Sequence, residues 1–594
     1  MSQSANAASV GVEAGEKLLY KPVSPVLLEM FRDGGWQYLL DPRGRAGESA
    51  VLCYDCTAGA ATLLLAKMYR HVTVLHTSQE ELDEISRRVT SEGVTSASYR
   101  IVRGAGDLKR LGRGTYSGLV VHDMESIVVR KGRPEGGHPA LSELLEGARD
   151  LLEPGGFVYL GMRNRWSYSR IRGWPRNAVH RRSFTVGAAT RILAASGYRY
   201  VAPYAFLLDG GYVSEMLPAQ GYRAARGDFT LVEKLKRLAL GRLGMRVFAA
   251  GYGLIAGADA ACPPRSTLER LLNRHSEYGL PISAGPHKLK RYIVLNWGKV
   301  IVSVGPEDSK FGEYVLVLTR EWQPILHRRR ESGILKALAA RGLSEAHRLP
   351  QFLGEVAVDG AACFVLRAIP GVSFDRHSPW QDELTLQAVQ FIAALHAETL
   401  IRVELDEPAY ARLFGVMFSR ARERNGRVVP ELDRMENAVR NAVMGTEIPL
   451  VWLHGDFKIE NMIFDEKTRR LNGVIDWEHS EQQGLPALDL LYLLTYNRTL
   501  KGGGDLLAAL QDFVVTGPTN FEKHMLRRYE RAVPDGAYPP GVLNAMFFVH
   551  HVAVRYKYTL DSDRVAEAVR DVLSLLTKPM AARGLPELQG VGSC

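Results

Sequence analysis

The chain has 594 residues and a formal net charge of +10, with 46% hydrophobic and 24% charged residues. This length exceeds the usual reach of one hydrophobic core, so at least two domains are expected. The composition is that of a soluble globular protein and excludes the disordered and fibrous classes. The basic residues are spread along the chain. Their one run, Arg328-Arg329-Arg330, lies on a predicted helix face, so no nucleic-acid partner is expected.

No apolar run is long enough to span a bilayer, and residues 1–18 lack the apolar core of a signal peptide. The five cysteines are too few and too scattered for a disulfide framework. Cys53 and Cys56 form a C-x-x-C pair, but no second pair exists to complete a zinc site, which favours strand-end packing. These features predict a cytoplasmic protein without a transmembrane segment.

Residues 1–35 are predicted to form an N-terminal tail and lead-in, and residues 36–260 alternate strand and helix patterns. The apolar stretch at 50–54 is typical of a buried parallel strand, and 72–75 is the next strand. A serine at 78 is well placed to cap the helix that follows. This alternation predicts a doubly wound α/β domain.

A Glu-Pro-Gly-Gly turn at 153–156, before a strand, and Asp107 in Gly-Asp-Leu resemble class I S-adenosylmethionine-dependent methyltransferases, whose domain is Rossmann-like. The resemblance implies that Gly59 and Asp107 lie at the cofactor site. The chain departs from the family after the first strand, where Gly59 is the one glycine of the usual three. It also has His76 where an acidic residue would bind the ribose. S-adenosylmethionine binding and a docking domain without cofactor are both open.

The junction between the halves begins with a basic amphipathic stretch at 231–248, which predicts either packing on its own domain or peripheral contact with an anionic membrane. Residues 261–285, which include Cys-Pro-Pro-Arg, are predicted to be a linker. From 286 to 580 we expect a second domain. It opens with three antiparallel strands at 291–297, 299–304 and 313–318, followed by a helix at 321–338.

The motif His-Gly-Asp-Phe-Lys-Ile-Glu-Asn at 454–461 precedes Ile-Asp-Trp-Glu at 475–478. D-x-K-x-x-N is the pattern of the protein-kinase catalytic loop. Phosphoryl transfer needs a carboxylate to orient and deprotonate an acceptor hydroxyl, and hard oxygen ligands to hold Mg²⁺ against the phosphates of ATP. A strand before the motif and a hairpin after it would bring Asp476 back beside Asn461.

With His-Gly before the aspartate and Ile-Asp-Trp downstream, this region resembles the aminoglycoside phosphotransferase and choline kinase family. The resemblance implies an α+β bilobal kinase-like fold that uses ATP and Mg²⁺. It implies that Asp456 acts on the acceptor hydroxyl and that Asn461 and Asp476 bind the metal. Lys458 is expected to neutralise charge on the transferred phosphoryl group, and Asp489 to brace the loop.

The resemblance also predicts a nucleotide site in the small lobe. Glu331 falls where a helix glutamate would pair with a strand lysine, but the sequence at 315–318 is Val-Leu-Val-Leu and has no lysine. Arg320 is the nearest cation and is the candidate replacement, although arginine is not equivalent to lysine. Arg367 and Ile369 belong to the predicted hinge strand, whose backbone would contact adenine.

The sequence therefore predicts an ATP- and Mg-dependent phosphotransferase that acts on a hydroxyl of a small molecule or glycan, such as a sugar, a glycan end or an amino alcohol. A further resemblance, at 181–218, is to methyltransferase-like proteins of polysaccharide clusters. It leaves open a bifunctional kinase and methyltransferase of polysaccharide biosynthesis. The missing strand lysine leaves open a non-catalytic scaffold, which the intact Asp456, Asn461 and Asp476 oppose. The acceptor and the oligomeric state stay undetermined.

Overall fold

The computed structural model describes residues 34–40, 49–54, 59–122, 141–163, 185–209, 212–218, 249, 251–260 and most of 264–574. Within that last range the gaps are 265, 274, 284–286, 296–298, 307, 310, 344–347, 375–377, 425–428, 503–505, 534–539, 555–566 and 568. The predicted tail before residue 34, the turn at 55–58 and the amphipathic stretch at 231–248 lie outside the described residues.

The chain divides into two compact units. The first unit is Met1–Leu326 with Phe352–Ala368, and the second is His327–Gln351 with Ile369–Cys594. The predicted linker at 261–285 falls inside the first unit, which therefore holds the N-terminal half together with the strands expected for the kinase small lobe. The domain boundaries predicted from the sequence, 36–260 and 286–580 with a linker at 261–285, stay a prediction.

The N-terminal part of the first unit is a parallel sheet with intervening helices, in the order β3-β2-β1-β4-β5. Its strands are β1 Ala50–Tyr54, β2 His71–His76, β3 Ala97–Ile101, β4 Tyr116–Val121 and β5 Leu152–Arg163. Its helices are α1 Ala60–Ala66, α2 Gln79–Ser91, α3 Ala105–Leu108, α4 Leu141–Leu151 and α5 Val186–Ala195. Ser78 caps α2, as predicted, by accepting from the Glu81 N–H. This is the Rossmann-like α/β fold expected from the sequence.

The sheet does not end at β5. It continues through antiparallel strands in the order β8-β6-β7 and then, through the pairing of β7 with β9, into β10-β11-β13-β12. These strands are β6 Tyr200–Asp209, β7 Tyr212–Pro218, β8 Gly251–Gly257, β9 Lys288–Val294, β10 Val300–Gly305, β11 Tyr314–Thr319, β12 Gln351–Val358 and β13 Ala361–Arg367. The three strands predicted for the small lobe are thus confirmed as β9, β10 and β11, within one sheet of thirteen strands.

One hydrophobic core runs along the same sheet. Residues of the N-terminal strands, such as Val51 and Val74, belong to the same buried cluster as Val302, Leu316 and Val365 from the small-lobe strands. In a second buried cluster, residues of α4 and α5 pack against residues of the N-terminal strands that do not belong to the first cluster. Short α6, Thr267–Asn273, follows Ser266, whose hydroxyl accepts from the Glu269 N–H.

The second unit is mainly helical, and α7 Trp322–Ala340 leads into it from the first unit. Its other helices are α8 Gln381–Thr399, α9 Glu407–Tyr410, α10 Val416–Arg424, α11 Val429–Val443, α12 Leu488–Gly502, α13 Leu506–Val515, α14 Asn520–Ala532 and α15 Pro540–Val554. Its strands are β14 Val372–Ser373, β15 Ile401–Glu404, β16 Glu447–Leu453, β17 Met462–Phe464, β18 Leu471–Val474 and β19 Glu481–Gly484. Among the described helices, none combines the length and apolar character that a membrane crossing requires.

Candidate active site

The catalytic motif occupies the turn between β16 and β17. Gly455 has φ 78°, and a Cβ there would collide with the backbone oxygen of His479, so the turn requires glycine. The His454 ring fixes both sides of the turn. Its Nδ1 accepts from the Asp456 N–H at 3.1 Å, and its Nε2 donates to the Ile475 carbonyl at 2.9 Å. The motif is therefore tied to the strand that returns with Asp476.

A buried carboxylate holds the turn from behind. The Asp489 oxygens accept from the backbone N–H groups of His454 at 2.6 Å and Gly455 at 2.9 Å. Burial alone would raise the pKa of Asp489, but the hydrogen bond from His396 and the nearby His454 hold this pKa below its usual value. The loop-bracing role predicted for Asp489 agrees with these contacts.

Asp456, Lys458 and Asn461 form one cluster on the motif. Asp456 is 5% exposed, and its Oδ2 accepts from Asn461 Nδ2 at 3.0 Å and lies 3.1 Å from Lys458 Nζ. The Asn461 amide nitrogen also donates to the Asp456 carbonyl at 2.9 Å. Lys458 lies over the ring of Tyr496, 5.7 Å from its centroid. The structure thus brings the predicted base and the predicted phosphoryl-binding cation together.

A backbone hydrogen bond joins the two segments that carry the predicted metal ligands. The Ile475 N–H donates to the Asn461 carbonyl at 2.9 Å, so Asp476 follows the residue that closes the β17–β18 pair. With the Asn461 amide nitrogen turned to Asp456, the amide oxygen is the atom of this side chain that could hold a metal ion. Asp476 has left-handed backbone angles and a carboxylate that is 32% exposed.

These two oxygen donors fit magnesium, which commonly takes one or two protein ligands and completes its octahedron with water and phosphate oxygens. Among the described residues, no group of three or more histidine, cysteine, aspartate or glutamate side chains converges as a self-contained metal site. The donor set therefore suits an ion that arrives with phosphates.

Glu331 is buried on α7, as expected for the helix glutamate that would pair with a strand lysine. The cation that it contacts, however, lies on its own helix. Arg328 forms an ion pair with Glu331, and its Nη2 lies 3.2 Å from both Asp476 Oδ1 and Glu478 Oε2. Burial would lower the pKa of Arg328, but the three carboxylates outweigh it and raise this pKa. Glu331 Oε1 also accepts from the Trp477 N–H at 2.9 Å.

Arg320, the candidate replacement for the strand lysine, donates from its guanidinium to the Asp359 carbonyl at 2.8 Å and stacks on Tyr38. Its role at the nucleotide stays a prediction. The run Arg328-Arg329-Arg330 lies on helix α7, as predicted, and within it Arg328 is only 6% exposed. Arg328 and Glu331 lie three residues apart on a helix, a spacing that indicates an ion pair. The two arginines beside Arg328 made this spacing easy to overlook.

The hinge residues lie where the sequence placed them, at and just after the end of β13. Arg367 pairs with Glu313 at 3.3 Å and lies over Tyr314, and the next N–H, from Ala368, donates to the Glu313 carbonyl. Ile369 begins the long segment of the second unit, and its side chain lies against Gly473. Adenine contact by this backbone stays a prediction.

The residues predicted for S-adenosylmethionine are engaged by neighbouring side chains and backbone. Gly59, directly before α1, has φ 94°, a value that favours glycine, and it packs closely against Val89. Asp107 accepts from the Arg103 N–H at 2.8 Å. His76 is buried, with Nε2 3.0 Å from Glu81. These contacts leave cofactor binding by Gly59 and Asp107 as a prediction.

Comparison with known sequences agrees with the motif. Residues 305–523 match the model of a family described as the phosphotransferase enzyme family, APH. Acyl-CoA dehydrogenase family member 11 of Gallus gallus is 26% identical over 173 residues, which are 27% of this chain and 22% of that protein. The match thus spans about a fifth of the relative's length. The resemblance of the C-terminal half to this phosphotransferase family is confirmed.

Solved structures resemble each half of the chain. Aminoglycoside phosphotransferase APH(3'')-Id from Streptomyces rimosus, in complex with ADP and streptomycin, is 16% identical and covers 47% of this chain and 90% of its own, with a TM-score of 0.27. A SAM dependent methyltransferase from Archaeoglobus fulgidus is 15% identical and covers 41% of this chain and 99% of its own, with a TM-score of 0.27.

Proposed function

We propose that this protein is an ATP- and Mg-dependent phosphotransferase that transfers phosphate to a hydroxyl of a small molecule or glycan. One observation carries the proposal. The Asp456 carboxylate is buried, is held by Asn461 and lies 3.1 Å from Lys458, within a domain that matches a phosphotransferase family. A carboxylate so fixed is the group that phosphoryl transfer needs beside the acceptor hydroxyl.

Each polar group of the cluster has a distinct task. Asp456 orients the acceptor hydroxyl and takes its proton as the oxygen attacks. The Asn461 amide keeps the carboxylate in one rotamer through two hydrogen bonds, to the side chain and to the backbone of Asp456. Lys458, steadied over Tyr496, balances the charge of the transferred group. Magnesium, held by Asn461 and Asp476, would supply charge neutralisation at the phosphates of ATP.

The acceptor class follows from what the base can do. A carboxylate is suited to orienting an alcohol and receiving its proton, and a sugar, a glycan end or an amino alcohol supplies such a hydroxyl. A bifunctional kinase and methyltransferase stays the alternative that S-adenosylmethionine binding would support. Equilibrium dialysis of the whole protein with labelled S-adenosylmethionine separates the two, because only the bifunctional protein retains the label.

The test of the proposed function is transfer of labelled γ-phosphate from Mg·ATP to fractionated cell extract. Polar metabolites, lipid-linked sugars and polysaccharide are separated and offered one at a time to the purified protein. Asp456→Asn keeps the shape of the side chain and removes its charge. Asp382→Asn, on an exposed side chain paired with Lys501, is the matched control.

Label that enters one fraction with the wild type and with Asp382→Asn, and falls at least about a hundredfold with Asp456→Asn, would support the proposal and identify the acceptor class. No label above the Asp456→Asn background in any fraction, with Mg·ATP still raising the unfolding temperature, would favour the non-catalytic scaffold.

A further inference from the structure

We propose that Arg328 performs the task of the missing strand lysine, as a cation supplied by helix α7 that positions Asp476 for Mg·ATP. The inference rests on the proposed function and concerns how its nucleotide site is held. β11, with the sequence Tyr-Val-Leu-Val-Leu-Thr, brings no cation of its own. Arg328 brings one from another element.

The first support is the position of the guanidinium. Arg328 is 6% exposed and contacts three carboxylates, those of Glu331, Asp476 and Glu478. Five N–H donors in a rigid fork suit such a three-way contact, which the point charge of a lysine could not match from the same backbone position. The contact with Glu331 reproduces the helix-glutamate pairing that is otherwise made by a strand residue.

The second support is that Arg328 and Glu331 together fix Asp476. Glu331 accepts from the Trp477 N–H at 2.9 Å, and this holds the backbone directly after Asp476. Arg328 holds the Asp476 side chain itself, with Nη2 3.2 Å from Oδ1. Asp476 has φ 70°, a left-handed conformation that is uncommon for non-glycine residues although aspartate adopts it more readily than most, and these two contacts hold it there.

The third support is the balance of charge. Glu331, Asp476 and Glu478 are three acidic side chains of low exposure, and buried carboxylates are costly when no cation accompanies them. Arg328 partly neutralises this cluster and leaves a net negative charge, so a divalent cation is still attracted. A ligand fixed by a neighbouring cation keeps its geometry before the metal arrives.

The experiment measures binding of labelled ATP at rising Mg²⁺ concentration, by equilibrium dialysis, for four forms of the full chain. They are the wild type, Arg328→Met, Arg328→Lys and Arg329→Met. Arg329 is the neighbouring, exposed arginine of the same run and is the matched control. Thermal unfolding without ligand, recorded for each form, reports any loss of packing separately.

We expect Arg328→Met to weaken Mg·ATP binding, and to raise the Mg²⁺ concentration at half-saturation, by about tenfold or more, the usual size of an effect on a ligand-orienting partner. Arg328→Lys should bind with intermediate affinity, and Arg329→Met should match the wild type. The intermediate result with lysine keeps the test decisive even where the methionine variant folds poorly.

Two negative outcomes are distinguishable. If Arg328→Met or Arg328→Lys lowers the unfolding temperature but binds Mg·ATP like the wild type, Arg328 only packs the helix and this inference is wrong, while the proposed function stands. If the wild type itself binds no Mg·ATP, the proposed function is wrong and the inference goes with it.

Discussion

Two buried aspartates of the catalytic region have opposite duties because of what surrounds them. The Asp456 carboxylate contacts two side chains, the amide of Asn461 and the ammonium group of Lys458. The Asp489 carboxylate is saturated by two backbone N–H groups and is 3.5 Å from His396. Under the proposed function the first exchanges a proton, and the second holds a backbone turn.

Replacement of Asp489 by asparagine tests the second duty. The asparagine amide keeps one oxygen, which can accept from one backbone N–H, but its NH₂ group then faces the other backbone N–H. One of the two buried hydrogen bonds is therefore lost. We expect a loss of roughly 3 kcal/mol in the free energy of unfolding of the second unit and loss of phosphate transfer. Circular dichroism during thermal unfolding measures the first, and the label assay the second.

Asp433→Asn, at an exposed carboxylate paired with Arg422, is the control and should behave as the wild type. Full transfer activity and an unchanged unfolding temperature in Asp489→Asn would contradict the bracing role.

At this scale the sequence predicted what lies within a short stretch of chain. Asp456, Lys458 and Asn461 lie within six positions of one another, so their spacing was enough to predict their grouping. Arg328 was missed because its partners Asp476 and Glu478 lie about 150 positions away, and only the folded chain brings them together.

Among the elements, helix α14 is fixed at its start by an acidic side chain with two roles. Glu522 completes a capping box with Thr519, and its carboxylate pairs with Arg498. Burial alone would raise the pKa of Glu522, but the hydrogen bonds from Arg498 and from the Thr519 N–H lower it. The helix start is therefore joined to α12, which follows the catalytic hairpin.

Because the pKa of Glu522 is lowered, the stability that its carboxylate contributes depends on pH. A carboxyl whose folded-state pKa lies below its unfolded value stabilises the fold at pH values above the unfolded pKa, near 4.3 for glutamate. The stabilisation is lost as the pH falls through the folded pKa. We expect Glu522→Gln to lower the free energy of unfolding by about 2 kcal/mol at neutral pH and by progressively less below about pH 4.

Denaturant unfolding of both forms between pH 3 and 7, followed by tryptophan fluorescence, measures this difference. A difference that stays constant over the whole range would mean that charge plays no part, and that the capping hydrogen bonds alone hold the helix.

Elements with strong local signals were predicted well. The hairpin of β17 and β18 was anticipated within one residue at each end, because a polar turn separates two short apolar runs. The predicted turn at 153–156 lies within the long strand β5 but outside its regular pairing with β4. Leu152 pairs with Tyr116 and Phe157 with Gly118, so residues 153–156 form an irregularity in the strand, and Gly155 has φ 76°.

On the scale of the whole molecule, the first unit joins in one sheet two regions that the sequence predicted to be separate domains. The β7–β9 pairing, through Glu215 and Ile293, connects the Rossmann-like strands with the small-lobe strands. Such pairing is invisible in the sequence because the partners lie in separate modules and antiparallel edges carry no signature of their own. The apolar periodicity of each strand was readable, but the choice of neighbour was not.

A shared core predicts that the two halves of this unit open together. Cys53 and Cys363 are buried cysteines in one cluster, from β1 and β13, and burial raises the pKa of Cys363 to about 12. With the other three cysteines changed to serine, we expect both thiols to resist alkylation until one common transition. Their protection should correspond to an opening free energy of roughly 5 kcal/mol or more.

Mass spectrometry after pulses of alkylating reagent, at rising denaturant concentration, measures both sites in one sample. Labelling of Cys363 at clearly lower denaturant than Cys53 would mean that the small-lobe strands open independently of the rest of the sheet.

The thirteen-stranded sheet also bears on inheritance. Catalytic modules are commonly shuffled between genes, and a gene segment survives such a transfer when its product folds without the parent. A segment that begins after residue 285 would encode β9 without β7 and the small-lobe side of the core without its N-terminal side. Recombination at this junction would therefore leave an exposed strand edge in each of the two encoded proteins. We expect the two halves to descend as a pair, even where only one of them retains an activity.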